Sequence, residues 1–263
     1  MREAIRTHTG AHLRFLARNR IFHAFVLLIA LGVATAVVPL VVSENNSSRF
    51  MALRLLAREL HAVASVTTAA IALLVLWSHR QARSIKMIAT TPAPFPAWVA
   101  SVFLTGAVVG LAAQMVIAAV VAALSVLWNV PYQLGFLYIG MDQFASSLII
   151  AAFLTALGTW MHPILAALLI VSLREGTFWS IRSMLDGAES GLVVNAAKAV
   201  ATAFYYLAPS FNPFSGRTLV LTRSMRVSVS DWRYLAATFA YALLALSFGY
   251  VATIAIFRRK PMV

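Results

Sequence analysis

The stretch Tyr234–Phe257, YLAATFAYALLALSFGYVATIAIF, decides the fold of this chain. It contains no charged residue and is followed directly by Arg258 and Arg259. A transmembrane helix needs about 20 predominantly apolar residues to cross a hydrocarbon layer about 30 Å thick. The stretch is therefore predicted to be a membrane-spanning helix with basic residues at one membrane surface.

The composition of the whole chain agrees with this prediction. Hydrophobic residues make up 61% of the sequence and charged residues 11%. The mean hydropathy of +0.85 lies outside the range that is usual for soluble globular proteins. A chain of 263 residues has room for about seven spans with their loops. We expect one all-α integral membrane domain over residues 1–263.

The charge balance and the absence of cysteine narrow the possible partners and chemistry. Lys and Arg number 21 and Asp and Glu number 8. The basic residues flank apolar runs, where anionic headgroups attract them, so membrane lipids are the expected partners and nucleic acid is not. Because there is no cysteine, disulfides, thiolate metal ligands and cysteine nucleophiles are excluded.

Six membrane spans are predicted from the apolar runs. Their ranges are 21–42, 61–77, 97–128, 143–160, 163–180 and 234–257. The fifth is the least regular, because its strictly apolar part, Ile164–Leu173, is too short to cross a membrane alone. It is expected to extend through Thr177-Phe178-Trp179, to dip partway into the membrane, or to merge with the fourth span.

Three further segments complete the predicted organisation. Residues 1–20 mix apolar residues with arginines, which favours an amphipathic interfacial helix over a solvated basic tail. Residues 78–96 read as a short cytoplasmic helix and a proline-fixed bend into the third span, with an inert connector as the alternative. Residues 181–233 are expected to be extracytoplasmic or interfacial. Their apolar part, 192–207, is predicted to be a partly re-entrant or interfacial helix, with a seventh span as the alternative.

Both termini are predicted to face the cytoplasm. Basic residues concentrate in residues 1–20, in residues 78–96 and at the C-terminus, where Glu3 is their one acidic companion. Short segments next to the first spans that are rich in Lys and Arg face the cytoplasm in most membrane proteins.

Two short elements carry a resemblance to a known family. The element before the last span consists of Tyr205, Tyr206, Leu207 and Pro209. The element before the third span consists of Thr90, Thr91 and Pro92. With these elements in this order, the chain resembles the membrane-spanning permease subunit of type-2 ABC (ABC-2 type) exporters. It is most similar to a subgroup with a Tyr-Tyr-Leu-x-Pro element before the last span and a Phe-Arg-Arg end. One departure is the stretch 80–84, RQARS, where the family commonly has acidic residues and a glycine.

The resemblance implies a transmembrane permease in a bacterial inner membrane that forms the translocation path of an ATP-driven exporter. It implies an ABC ATP-binding subunit as partner and a second permease subunit, identical or related. The residues implied to couple to the ATPase are Arg83, Ile85, Met87, Ile88, Thr90, Thr91 and Pro92. No Gly-x-x-x-x-Gly-Lys-Ser/Thr loop occurs in the chain. ATP and Mg are therefore expected on the partner, with no cofactor and no catalytic site in this chain.

Polar residues inside the spans are the candidates for the translocation path, because they are costly in lipid and usually face a bundle interior or cavity. These are Gln114, near the middle of the third span, and Thr67, Thr105 and Thr155. The threonine hydroxyls have an alternative role in bonding a carbonyl of their own helix, and Gln114 in bonding a neighbouring helix. No metal site is expected, since no two histidines share a helix face at ligand spacing.

Two other functional classes stay open at the level of sequence. One is a membrane anchor or assembly factor that binds a partner complex without transporting anything. The other is an ATP-independent carrier, which we disfavour because no acidic residue is expected deep in a span. Copurification of an ATPase, and substrate-dependent ATP hydrolysis by the complex, separate these classes from the exporter.

Overall fold

A computed structural model of the chain describes an all-helical protein. The ranges it describes are 1–20, 22–24, 26–27, 30–31, 34, 46–81, 95–172, 183–186, 191–207 and 225–259. Within these ranges every long regular element is a helix. The helices are α1 (Arg2–Arg18), α2 (Asn46–Gln81), α3 (Phe95–Leu127), α4 (Leu134–Trp160), α5 (Pro163–Ser172), α6 (Leu192–Leu207) and α7 (Val229–Arg259).

Four of these helices, α2, α3, α4 and α7, are long and apolar enough to cross a membrane. The predicted class, an all-α integral membrane protein, is therefore confirmed in outline. The predicted third and last spans coincide with α3 and α7 to within a few residues at each end. Both helices come from apolar runs that no charged or helix-breaking residue interrupts.

The second and fourth predicted spans lie inside longer helices. Helix α2 begins at Asn46 rather than at His61, and α4 begins at Leu134 rather than at Gln143. In α2, charged residues between 49 and 59 lower the hydropathy of the extension; in α4, Asp142-Gln143 separate the apolar residues 134–141 from the predicted span. Neither group of residues breaks the helix. With 36 residues, α2 is about 54 Å long at a rise of about 1.5 Å per residue, and it exceeds the hydrocarbon thickness.

Other predicted segments lie partly outside the described residues. In the predicted first span, helical positions are described at 22–24, 26–27, 30–31 and 34. The fifth predicted span begins with the short apolar helix α5, and its remaining residues 173–180 are not described. In the predicted coupling segment, residues 82–94 are outside the described part. The helix predicted over 192–207 is present as α6.

Helix α4 is the centre of the bundle and contacts α2, α3, α5 and α7. Small residues bring its neighbours close. On α7, a Cβ added to Gly249 would lie 2.7 Å from the carbonyl oxygen of Ala152 on α4. On α3, a Cβ at Gly106 would lie 3.1 Å from Cβ of Ala72 on α2. Small residues at helix contacts allow this backbone approach in membrane bundles.

Helix α1 packs one stripe of residues against the beginning of α3. Thr9, His12 and Leu16 are buried and lie on one face of the helix. The His12 Nε2 and Ser101 Oγ atoms are 3.0 Å apart. The helix predicted over residues 1–20 is therefore present, and it is attached to the bundle. We call this end of the bundle, where α1 meets the beginning of α3, the α1 end, and the opposite end the far end.

The apolar interior contains two large clusters along the bundle and a small third one around Tyr138 and Leu235. The α1-end cluster includes Leu76, Val102, Ile149, Ala152 and Ala245. The far-end cluster includes Leu56, Leu60, Val121, Phe136 and Ile139. His61 of α2 lies beside Leu60 and Ala64 of the far-end cluster, and Gln114 of α3 is bonded to it.

A buried polar layer as the candidate functional site

His61 of α2 and Gln114 of α3 form a buried polar pair. Their side chains are 0% and 4% exposed. The Gln114 Nε2 donates a hydrogen bond to the His61 carbonyl oxygen at 3.1 Å. The Gln114 Oε1 is also hydrogen-bonded to His61 Nδ1. Two bonds from one side chain to one residue fix the register of α2 against α3.

These bonds determine the tautomer of the His61 ring. A carbonyl-type oxygen can only accept, so Nδ1 carries the hydrogen that points to Gln114. In the neutral ring, Nε2 then has a free lone pair. That Nε2 is buried and has no hydrogen-bond partner within the described part of the chain. Because a buried polar atom without a partner is costly, His61 marks this layer as a candidate site.

Gly140 of α4 closes the third side of the layer. A Cβ added there would lie 2.7 Å from His61 Cε1 and 3.2 Å from Nε2. Only glycine therefore allows α4 to approach the imidazole edge this closely without moving the ring. The polar layer joins three helices through His61, Gln114 and Gly140.

Thr68 and Gly110 continue the contact between α2 and α3 by one helical turn or more. A Cβ at Gly110 would overlap the side chain of Thr68. The Thr68 hydroxyl donates to the Ala64 carbonyl of its own helix at 3.3 Å. The two helices therefore contact each other closely at successive levels, by hydrogen bonds at Gln114 and by close packing at Gly110 and Gly106.

The three threonines predicted for the translocation path do not all meet at this layer. Thr67 donates to the Val63 carbonyl at 3.0 Å, and Thr105 donates to the Ser101 carbonyl at 2.7 Å. These are hydrogen bonds to a carbonyl of the same helix, which was the alternative to a role of these threonines in the translocation path. Thr155 is 0% exposed, and it lies about 22 Å along α4 from Gly140 at a rise of about 1.5 Å per residue.

Asp142, like Glu59 and Asp231, lies inside a helix that is longer than the predicted span. It was expected to lie outside the spans, but it belongs to α4 and is 1% exposed. The helix therefore extends past the predicted beginning of the fourth span and includes this acidic residue. The reason is that hydropathy falls at Asp142-Gln143, while the helix continues back to Leu134. Asp142 is two residues from Gly140 and thus close to the level of the polar layer.

A second polar contact fastens α4 to the beginning of α7. The Tyr138 hydroxyl donates to the Asp231 carbonyl oxygen at 3.2 Å. The Asp231 carboxylate accepts from the Ser228 amide at 2.8 Å and from its hydroxyl at 2.5 Å. This is one half of a capping box, since the side chain of the third helical residue bonds back to the amide of the capping residue. The contact fixes where α7 begins against α4.

At the α1 end, aromatic rings join α1, α3 and α7. Trp98 is 6.3 Å from His12 and 6.3 Å from Phe257, measured between ring centroids. Phe95 is 5.7 Å from Trp98 and 5.1 Å from Phe257. The last turn of α7 therefore lies at the same end of the bundle as α1 and the beginning of α3.

The residues taken from the family resemblance cannot be placed in the same detail. Pro209 lies outside the described residues, and so do the seven coupling candidates. These are Arg83, Ile85, Met87, Ile88, Thr90, Thr91 and Pro92. Tyr205, Tyr206 and Leu207 form the last turn of α6, for which the backbone alone is described.

The helices, their lengths and the buried polar layer define the class as a multi-span α-helical membrane protein. Comparison with known proteins found no family model that matches the chain and no curated protein that matches it.

Proposed function

We propose that this chain is the transmembrane permease subunit of an ATP-driven exporter of the ABC-2 type. It works as a dimer with an identical or related permease, and separate ABC ATP-binding subunits bind ATP and Mg. The observation that carries the proposal is the grouping at one end of the bundle. Helix α1, the end of α2, the beginning of α3 and the end of α7 all lie there, and the predicted coupling segment joins α2 to α3.

The charges at this end support a cytoplasmic position. Seven arginines and one acidic residue, Glu3, are exposed on residues 1–20 and at the end of α7. The arginines are Arg2, Arg6, Arg14, Arg18, Arg20, Arg258 and Arg259. An excess of basic residues near span ends marks the cytoplasmic side of a bacterial inner membrane. We therefore orient the α1 end, with both termini, towards the cytoplasm.

The helix contacts suggest how ATP-driven motion would reach the membrane domain. The coupling segment connects α2 and α3, and these two helices are held together by Gln114 and by the close packing at Gly110 and Gly106. A displacement of the segment would therefore move α2 and α3 as one unit. Their contact with α4 at Gly140 is the place where this unit would slide or rock, as expected for rigid-body alternation between two states.

Asp142 favours a second candidate, an ATP-independent carrier coupled to protons. A buried acidic residue in a span is the type of group that proton relays use. This candidate predicts proton uptake by vesicles that contain the chain and no ATPase, measured with an internal pH-sensitive dye. D142N would abolish that uptake in the carrier and would leave copurification of an ATPase unchanged in the exporter.

A mild-detergent purification of the tagged chain from its native membrane tests the exporter proposal, with mass identification of the proteins that copurify. We expect a stoichiometric ATP-binding subunit. Replacement of residues 85–91 is expected to release it. The matched control, R58Q with E59Q, changes two exposed residues at the far end and should leave it bound. Purification of the intact chain without any ATPase would favour an anchor or a carrier instead.

A further inference from the structure

One face at the end of α7 carries a shallow, open groove of about 310 Å³, formed by that helix alone, that no contact described above uses. Its lining consists of Val251, Ile254, Ala255, Arg258 and Arg259. The spacing of three, four and seven residues places these side chains along one face of the helix. The groove is aliphatic over about one turn and ends at two guanidinium groups.

The groove lies at the level where headgroups are expected. Phe257, next to Arg258, packs on Phe95 and Trp98 at the beginning of α3. Arg258 and Arg259 follow the apolar run of α7 directly, and basic residues at the end of a span lie at the headgroup level of a membrane. The aliphatic part of the groove then faces the hydrocarbon layer, and the two arginines lie at its surface.

Arg258 and Arg259 are exposed and have no carboxylate partner within the described ranges. Adjacent guanidinium groups present several donors in a geometry that matches phosphate oxygens. A soluble phosphate would satisfy these groups but would leave the aliphatic wall without an occupant. A phospholipid satisfies both parts at once.

We propose that this groove is a binding site for one anionic phospholipid. The acyl chain lies along Val251, Ile254 and Ala255, and the headgroup phosphate bonds to Arg258 and Arg259. This site does not depend on the proposed export function, since it follows from the groove, its charges and its position. It would retain an anionic lipid at the α1 end in preference to the surrounding neutral lipids.

Native mass spectrometry of the full chain in detergent, titrated with phosphatidylglycerol or phosphatidylcholine, tests the proposal. We expect one phosphatidylglycerol to bind in preference to phosphatidylcholine. The double variant R258Q/R259Q should lower the phosphatidylglycerol binding constant about 10- to 30-fold, given about 1 kcal/mol for each basic residue at an anionic membrane surface. The matched control R14Q/R18Q removes the same charge from α1 at the same end. An equal loss in that control would overturn the proposal, because it would indicate diffuse attraction and no defined site.

A second variant tests the acyl-chain part of the groove without changing charge. A255W fills the groove, whereas the control L243W adds the same ring to an exposed position on another face of α7. We expect A255W to lose bound phosphatidylglycerol and L243W to keep it. Retention of the lipid in A255W would overturn the assigned acyl-chain path. Displacement of the lipid by glycerol 3-phosphate at equal concentration would also overturn the proposal and show a site for soluble phosphates.

Discussion

Two of the contacts of helix α4, those with α7 and with α2, differ in composition, and the difference separates a contact for packing from one for function. Towards α7, small residues and aromatic pairs fill the contact, as at Gly249 and Ala152. Towards α2, the contact includes His61, whose Nε2 has no partner within the described chain. A close-packed contact resists change, whereas a polar contact with an unused lone pair can accept a new partner. We therefore expect stability to depend most on the α7 side and any conformational change to involve the α2 side.

The largest expected effect is at the contact between α4 and α7. G249L would place side-chain atoms into the Ala152 backbone, which cannot give way as a flexible side chain can. We expect a loss of about 3 kcal/mol in the free energy of unfolding, at the upper end for overpacking. Denaturant titration in mixed micelles measures it. The control A240L changes an exposed position of the same helix and should leave stability nearly unchanged.

A smaller loss is expected where α4 meets α2. G140A would press on the His61 ring, which can rotate away only by losing its bond to Gln114. We expect a loss of about 2 kcal/mol. In an H61A background the obstacle is gone, so G140A should then cost little. An unchanged cost in that background would show that Gly140 is needed for another reason.

The polar pair itself is expected to contribute about 1 kcal/mol, because hydrogen bonds between membrane helices are individually modest. The coupling energy follows from unfolding measurements on H61A, Q114A and the double variant. A coupling near zero would mean that the pair is placed by the surrounding helices and does not hold α2 to α3.

The smallest expected effect is at the capping box of α7. S228A removes the hydroxyl that donates to Asp231 but keeps the amide donor. We expect a loss of about 0.5 kcal/mol, below the usual cost of a lost cap because one bond survives. The control S247A removes an exposed hydroxyl of the same helix that donates to the Leu243 carbonyl. Equal effects of S228A and S247A would argue against the assigned cap.

The helices α3 and α7 could be predicted to within a few residues, because hydropathy alone defines an uninterrupted apolar run. The beginnings of α2 and α4 could not, because Arg49–Glu59 and Asp142 lower the hydropathy without breaking the helix. A helix-propensity reading of 46–60, which contains no Gly or Pro, would have found the extension of α2. The membrane class could be predicted from composition, whereas the burial of Asp142 could not.

The candidate site was only partly visible in the sequence. Gln114 stood out as a polar residue in an apolar helix, and its bond to another helix was foreseen as an alternative. Its partner His61 is 53 positions away in sequence and was assigned to the end of a span. The pairing depends on how α2 and α3 pack against each other. That packing depends on glycines and threonines, which are so common in membrane helices that a single one does not predict a contact. Gly140 gave no signal at all without the ring that it faces.

The lengths of α2 and α3 have a mechanical consequence. Charged residues up to Glu59 limit how far α2 can sink into hydrocarbon, whereas the 33 residues of α3 carry no charge and impose no such limit. A thicker bilayer would therefore pull the two helices unequally, and a thinner one would release them. The resulting shear would fall on the bonds between His61 and Gln114. Bilayer thickness thus becomes a variable that acts directly on the centre of this molecule.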